Sequence, residues 1–285
     1  MKNKSEQKRK TASKKNSTKS KGSIKVMLII SFMIPVCCLI ILGFVSYGKA
    51  SKGLQINYEN SVQQAINMTG QYFTFEFDSV ETGLIPYVID DDIVSYVNGT
   101  YENNPAKKAD VSSYTKGKLV EKISSDKNIS NIYVLSEKSK QISTTNASDN
   151  ELYSTFIAIE AGKVVKDNKD QFIWMGQQPE LDELFNTDSS KYAIRAAHYF
   201  ISTPGCIVID ISPEAVTDIL KKAVNAENNI MGLVTYEGKE VLNREDIDIF
   251  VFSDKEFYQT ALSGEQEAGS DYVSYDGDTY LSILK

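Results

Sequence analysis

Apolar positions divide the chain before any other property does. From Val26 to Tyr47 (VMLIISFMIPVCCLIILGFVSY) they run without a single charged side chain. About 20 consecutive apolar residues suffice to cross the hydrocarbon core of a bilayer. A helix satisfies every backbone amide there, and membrane helices tolerate a residue such as Pro35. The stretch predicts one transmembrane helix. From Ala50 to about Leu84 the pattern becomes periodic: Leu54, Tyr58, Val62, Ile66, Thr69, Phe73, Phe77, Val80 and Leu84 follow one another in steps of three or four. That is the helical period. It predicts a long amphipathic helix, continuous with the span and ending before Pro86. A stripe of this kind packs on a domain, on a partner helix, or on both. A homodimer formed through its lower part is expected.

Beyond Pro86 the segments shorten and alternate. An amphipathic stretch, Tyr87 to Val97, ends at Asn98-Gly99, and a polar loop with Pro105 leads to a helix from about Ser112 to Ser124. NIYVL, at 131 to 135, has the β-branched and aromatic character of a strand. Ser136 to Lys140 reads as a polar turn, and Gln141 to Thr145 as the returning strand. Ser148-Asp149 supplies a cap for a helix from about Asn150 to Lys166. Gln171 to Phe185 holds the chain's one tryptophan, Trp174, near a strand end, and then a short helix entered at Pro179. KYAIRAAHYFI (191 to 201) and CIVIDI (206 to 211) read as strands. The second is nearly all apolar and therefore central. Ser212-Pro213 starts a helix to about Ala226, with proline at the first helical position.

A smaller unit follows. Ile230 to Tyr236 and Lys239 to Leu242 form a hairpin about Glu237-Gly238, and Asp254 to Leu262 forms a short helix. Asp271 to Tyr275 and Asp278 to Leu284 form a second hairpin about Asp276-Gly277, since Asp-Gly favours the type I′ turn. The expected order is a basic tail (1–25), a membrane helix (26–47), a stalk helix (48–85), a first α+β unit (86–226) and a second one (227–285). The second unit lacks a final strand, so the chain is expected to be a piece of a longer protein.

Charge orients this arrangement. Residues 1–25 hold ten Lys/Arg and one acid, with almost nothing to build a core, which predicts disorder. Basic flanks stay on the cytoplasmic side and lie against anionic lipid. The long apolar stretch and the poor small-residue pattern after it favour an uncleaved signal anchor in the cell membrane. Everything after residue 48 is then extracellular. That part carries 21 basic and 37 acidic side chains, an excess that argues against nucleic acid and polyanions. Cys37 and Cys38 lie in the span and Cys206 stands alone outside, so no disulfide framework exists.

The chain resembles the extracellular double-Cache sensors of bacterial transmembrane receptors, above all methyl-accepting chemotaxis proteins of the clostridial type. IPVCCLIILGFVSYGKAS, YENSVQQAINMTGQY, WMGQQPELDE, GCIVIDISPEAVTDIL, LVTYEGKEVL and SYDGDTYLSIL carry the likeness, from about residue 26 to the end. It implies PAS-like sheets, a small-molecule pocket in the first unit, and signal transduction across the membrane. It also implies a ligand-binding Asp at the position of Asp210 and a tryptophan at that of Trp174. The Arg and Tyr that accompany this tryptophan in amino-acid-binding members are missing here. A histidine kinase or diguanylate cyclase could carry the same exterior; so could a membrane-anchored extracellular binding protein.

Side-chain chemistry adds candidates. A carboxylate in an apolar strand needs a partner, which a ligand ammonium supplies. The alternative for Asp210 is a strand edge, capping the Ser212-Pro213 helix. Arg195 is suited to a carboxylate by its bidentate geometry, or stands exposed on its strand. Tyr133 faces either the pocket or the core. His198, the sole histidine, has no companion for zinc. Asp90-Asp91-Asp92 fits a helix start better than a cation site, because three adjacent residues cannot all face one ion. Nucleophile, zinc and phosphate-loop motifs are absent, so neither an enzyme nor a cofactor is expected.

Overall fold

The computed structural model describes residues 22–147, 151–223, 229–244, 252–253, 256–263, 269–275 and 277–284. It is a mixed α+β protein with a long apolar N-terminal helix and an antiparallel sheet. The chain divides into two compact units, 1–60 and 61–285. Helix α1, Gly22–Val88, belongs to both.

In the first unit, every residue from 24 to 58 is exposed. Phe32, Phe44 and Tyr47 each show more than two-thirds of their surface. The helix is long and apolar enough here to cross a membrane. An uncovered apolar surface of this extent marks an interaction site or a membrane.

In the second unit the stripe on α1 turns inward. Thr69, Phe73, Val80, Leu84 and Val88 are buried, with Ile66 and Phe77 packed beside them. Burying one such aliphatic or aromatic side chain contributes about 1.5–3 kcal/mol. The helix runs through Pro86 instead of stopping before it. Proline removes one intrahelical donor, but the Ile89 N–H still reaches the Ile85 carbonyl at 3.1 Å.

Helix α2 (Asp91–Val97) is capped by Asp90, whose Oδ1 accepts from the Asp92 and Ile93 amides at 3.0 and 3.1 Å. The aspartate triplet is thus a helix start. Helix α3 spans Pro105–Ser125, longer than the pattern predicts. Asn104 caps it through the Lys107 amide at 3.1 Å, and Pro105 takes the first turn. The Asn-Pro pair was itself the start signal.

Five strands form one antiparallel sheet: β1 (Ile129–Ser136), β2 (Ile142–Ser143), β3 (Ile173–Met175), β4 (Arg195–Tyr199) and β5 (Gly205–Ile211), in the order β2-β1-β5-β4-β3. The apolar strand β5 is central, as its composition predicts. The strand expected at 141–145 shrinks to two paired residues. Alternation sends side chains to opposite faces. One face carries Ile132, Val134, Ala196, Ile207 and Ile209. The other carries Tyr133, Leu135, Met175, Ala197, Cys206 and Val208.

That second face is covered by α4 (Leu152–Ala158), α5 (Glu160–Asp167) and α6 (Pro179–Phe185). One helix from 150 to 166 was expected; Ile159, extended at ψ 159°, breaks it in two. Gly162 permits the break, because a Cβ there would lie 1.8 Å from the Phe156 carbonyl oxygen. The expected cap at Ser148-Asp149 lies outside the described residues. Helix α7 (Pro213–Ala223) follows β5, and Ser212 Oγ accepts from the Ala215 amide at 3.3 Å.

Among the described residues, two hairpins and a helix follow: β6 (Gly232–Val234) with β7 (Glu240–Leu242), α8 (Glu256–Leu262), and β8 (Gly269–Tyr275) with β9 (Asp278–Leu284). Both predicted turns place glycine at positive φ, Gly238 at 87° and Gly277 at 84°. The first hairpin is not detached from the core. Met231 and Val241 are buried in the cluster that α1 and α7 share, and Thr217 Oγ1 donates to the Leu242 carbonyl at 3.2 Å.

Candidate functional site

Arg195 and Asp210 are register partners across β4 and β5, and Asn131 on β1 is the other partner of Asp210. The same alternation puts Arg195, Asp210 and Tyr133 on the face beneath α6. Arg195 and Asp210 are fully buried. The guanidinium Nε donates to Asp210 Oδ1 at 2.6 Å, and the Tyr133 hydroxyl donates to Oδ2 at 3.0 Å. Asn131 Nδ2 lies 3.4 Å from the same oxygen.

Helix α6 brings a second carboxylate. Asp182 Oδ1 is 3.0 Å from Arg195 Nη2. The contact is a charge pair without hydrogen-bond direction, since neither Nη1 nor Nη2 has a hydrogen-bond partner among the described residues. The Tyr192 hydroxyl donates to Asp182 at 2.9 Å from Oδ1 and 3.1 Å from Oδ2, and accepts from the Gln178 amide at 3.3 Å. Two rings frame the guanidinium, with Tyr192 at 4.1 Å and Phe185 at 5.1 Å from its carbon to the ring centres. Phe185 in turn stacks on Tyr133 at 4.0 Å.

A second cation approaches from the β6–β7 turn. Lys239 Nζ donates to the carbonyls of Ser189 and Tyr192 and sits 4.2 Å over the Tyr192 ring. The site thus holds two cations and two carboxylates. Burial pushes the Tyr133 phenol up, and the Asp210 carboxylate adds to this. Burial likewise raises Tyr192. Both phenols therefore remain donors at neutral pH. Burial works against the Arg195 charge, but Asp210, with Tyr192 and Asp182, offsets it, and the net direction is upward. Burial brings Lys239 down to about 8, opposed by Asp182 and reinforced by Arg195.

Of the four residues singled out from the sequence, the structure gathers Arg195, Asp210 and Tyr133. Trp174 is elsewhere. It is the register partner of Ala196, one position off Arg195, and so points to the opposite face. There it stacks on Phe77 at 4.4 Å and donates to Glu81 at 2.6 Å, both on α1. Asp210 is no strand-edge cap, because Ser212 caps α7. Arg195 is not exposed. His198 also lies on the Trp174 face, against Phe172. Its Nδ1 donates to the Tyr199 carbonyl at 2.7 Å, and burial lowers its pKa. Cys206 is buried on β5, its thiol pushed up by that burial.

The sequence reading missed Asp182, Tyr192, Phe185 and Lys239. Asp182 and Phe185 had a signal: Leu181, Asp182 and Phe185 share one face of PELDELF, so the acid sits within the apolar stripe. Lys239 had none, since a lysine after a turn glycine is ordinary.

Chemically, the cluster can present guanidinium donors and carboxylate acceptors to one small polar molecule within an aromatic frame. No protein-family model matches the chain, and no curated protein sequence matches it.

Proposed function

We propose that the chain is the membrane-anchored, extracellular small-molecule-sensing region of a transmembrane chemoreceptor of the methyl-accepting type, with a double-Cache, PAS-like exterior and no catalytic role. One observation carries the reading. A fully buried arginine has two guanidinium nitrogens without hydrogen-bond partners among the described residues, while Asp210, Tyr133 and Asp182 converge on the same place. A buried unsatisfied donor costs about 1–3 kcal/mol, and more when charged. A ligand carrying an acceptor recovers that cost. The exposed apolar length of α1, the basic tail before it and the five-stranded antiparallel sheet all support the receptor architecture. The tail lies in the cytoplasm, and α1 pairs with its copy in a homodimer.

Ligand binding can shift a receptor only by its difference in affinity for two states. The first requirement is therefore binding. The whole chain in nanodiscs is heated with a panel of amino acids, mono- and dicarboxylates. A ligand at about 100 times its dissociation constant stabilises by roughly 2.7 kcal/mol, an increase of about 5–10 °C in Tm for a unit of this size. At least one compound is expected to give such a rise, and Asp182→Asn to reduce it. A panel that leaves Tm unmoved overturns the reading.

A further inference from the structure

The β6–β7 turn is tightly built and presses on the site. The Thr235 amide donates to the Lys239 carbonyl at 2.8 Å, the Gly238 amide to the Thr235 carbonyl at 2.9 Å, and the Lys239 amide to Thr235 Oγ1 at 3.2 Å. The Tyr258 hydroxyl holds the Thr235 carbonyl from behind at 2.6 Å. Thr235 lies so close to the loop after β3 that a Cβ on Gly176 would fall 2.9 Å from its own Cβ. The turn therefore aims the Lys239 side chain at one place, the carbonyls of Ser189 and Tyr192.

Tyr192 is the hub of the candidate site. Its backbone carbonyl and one side of its ring meet Lys239, its hydroxyl holds Asp182, and its ring packs on the Arg195 guanidinium. An occupant that engages Asp182 or the Arg195 guanidinium competes with Tyr192 for both. Movement of Tyr192 changes what Lys239 can reach.

We propose that Lys239 is a positioning residue that fastens the β6–β7 turn to the Tyr192–Asp182–Arg195 cluster, so that a rearrangement of the cluster is passed to the hairpin. The inference rests on the sensing role for its functional meaning, whereas the coupling is measurable without a ligand. Burying the ammonium works against its charge, and carbonyl donation together with the Tyr192 face supplies the compensation. The hairpin is joined in turn to α7 through Thr217, and to α1 through Thr69 Oγ1, 3.9 Å from Met231 Sδ. Coupling between two sites is reciprocal, and the experiment reads both ends.

Hydrogen exchange of the turn amides (235–241) is followed in the full chain, in nanodiscs, for the wild type, Asp182→Asn, Lys239→Met and the double variant. The Nε–H resonance of Arg195, one of three arginines in the chain, is recorded alongside. Asp182→Asn is expected to accelerate turn exchange about tenfold with Lys239 present and to add nothing in the Lys239→Met background. Lys239→Met is expected to shift the Arg195 resonance, and Lys239→Arg to restore it. A merely structural lysine leaves that resonance unmoved. Equal effects of Asp182→Asn in both backgrounds, or an unmoved Arg195 signal, overturn the inference. A failed ligand panel with intact coupling removes the sensing role alone. A bound ligand without coupling removes only the role given to Lys239.

Discussion

Arg195 and Asp210 show how much rests on single side chains. Separating a buried ion pair by removing one partner costs about 3–5 kcal/mol, because the other charge stays buried without compensation. Total stability of a domain is only about 5–15 kcal/mol. Asp210→Ala is therefore expected to lose about 3–5 kcal/mol in denaturant unfolding. Arg195→Met combined with Asp210→Leu should lose clearly less than the sum of the two single changes. Additive losses would show that the two charges are not coupled. The chemistry of this pair was legible in the strands: CIVIDI holds one acid, Asp210, which needs a partner, and KYAIRAAHYFI holds Arg195, which is suited to a carboxylate. That they partner each other was not legible, because register is set by the whole sheet. The same register removes Trp174. A shift of one residue in a strand exchanges its two faces, and Trp174 stands one place from Met175, the register partner of Arg195.

Elements with a strong period were read well, and those set by local breaks were not. The stripe from Ile66 to Leu84 faces the core as predicted. Leu54 and Tyr58, on the same sequence stripe, are largely exposed. An amphipathic helix with an uncovered apolar face gains by pairing, which is the physical case for the dimer. Cysteine placed at Leu54, with the three native cysteines replaced, is expected to give a disulfide-linked dimer in membranes under mild oxidation. Cysteine at Lys116, exposed on α3 in the other unit, serves as the comparison and should give far less. Failure of Leu54→Cys to form any dimer counts against pairing through this face. The break at Ile159 escaped the sequence reading because Phe156 and Val165 both suit a helix. It is their joint burial on one cluster that bends the chain between them.

For the molecule as a whole, charge and hydropathy make a topological statement. Ten basic residues precede the apolar stretch 26–47, and the chain after it is acidic. The proposed orientation follows from this through the positive-inside rule, with residues 1–25 on the cytoplasmic side. Cysteine at Tyr114, which is exposed on α3, is expected to react with a membrane-impermeant maleimide on intact cells. Cysteine at Ser13 should react only after permeabilisation. The reverse pattern would falsify the orientation. Strand character, the central place of β5, the turns at Gly238 and Gly277 and the membrane-length helix could all be read from the chain, because each depends on neighbours within a few residues. The ring of Tyr133, Asp182, Phe185, Tyr192, Arg195, Asp210 and Lys239 could not. Its members lie up to about a hundred positions apart, and local propensity carries no information on which distant side chains share a face. Sheet register and the packing of α6 and the β6–β7 turn bring them together, since a buried charge persists only where the fold supplies its counter-charge.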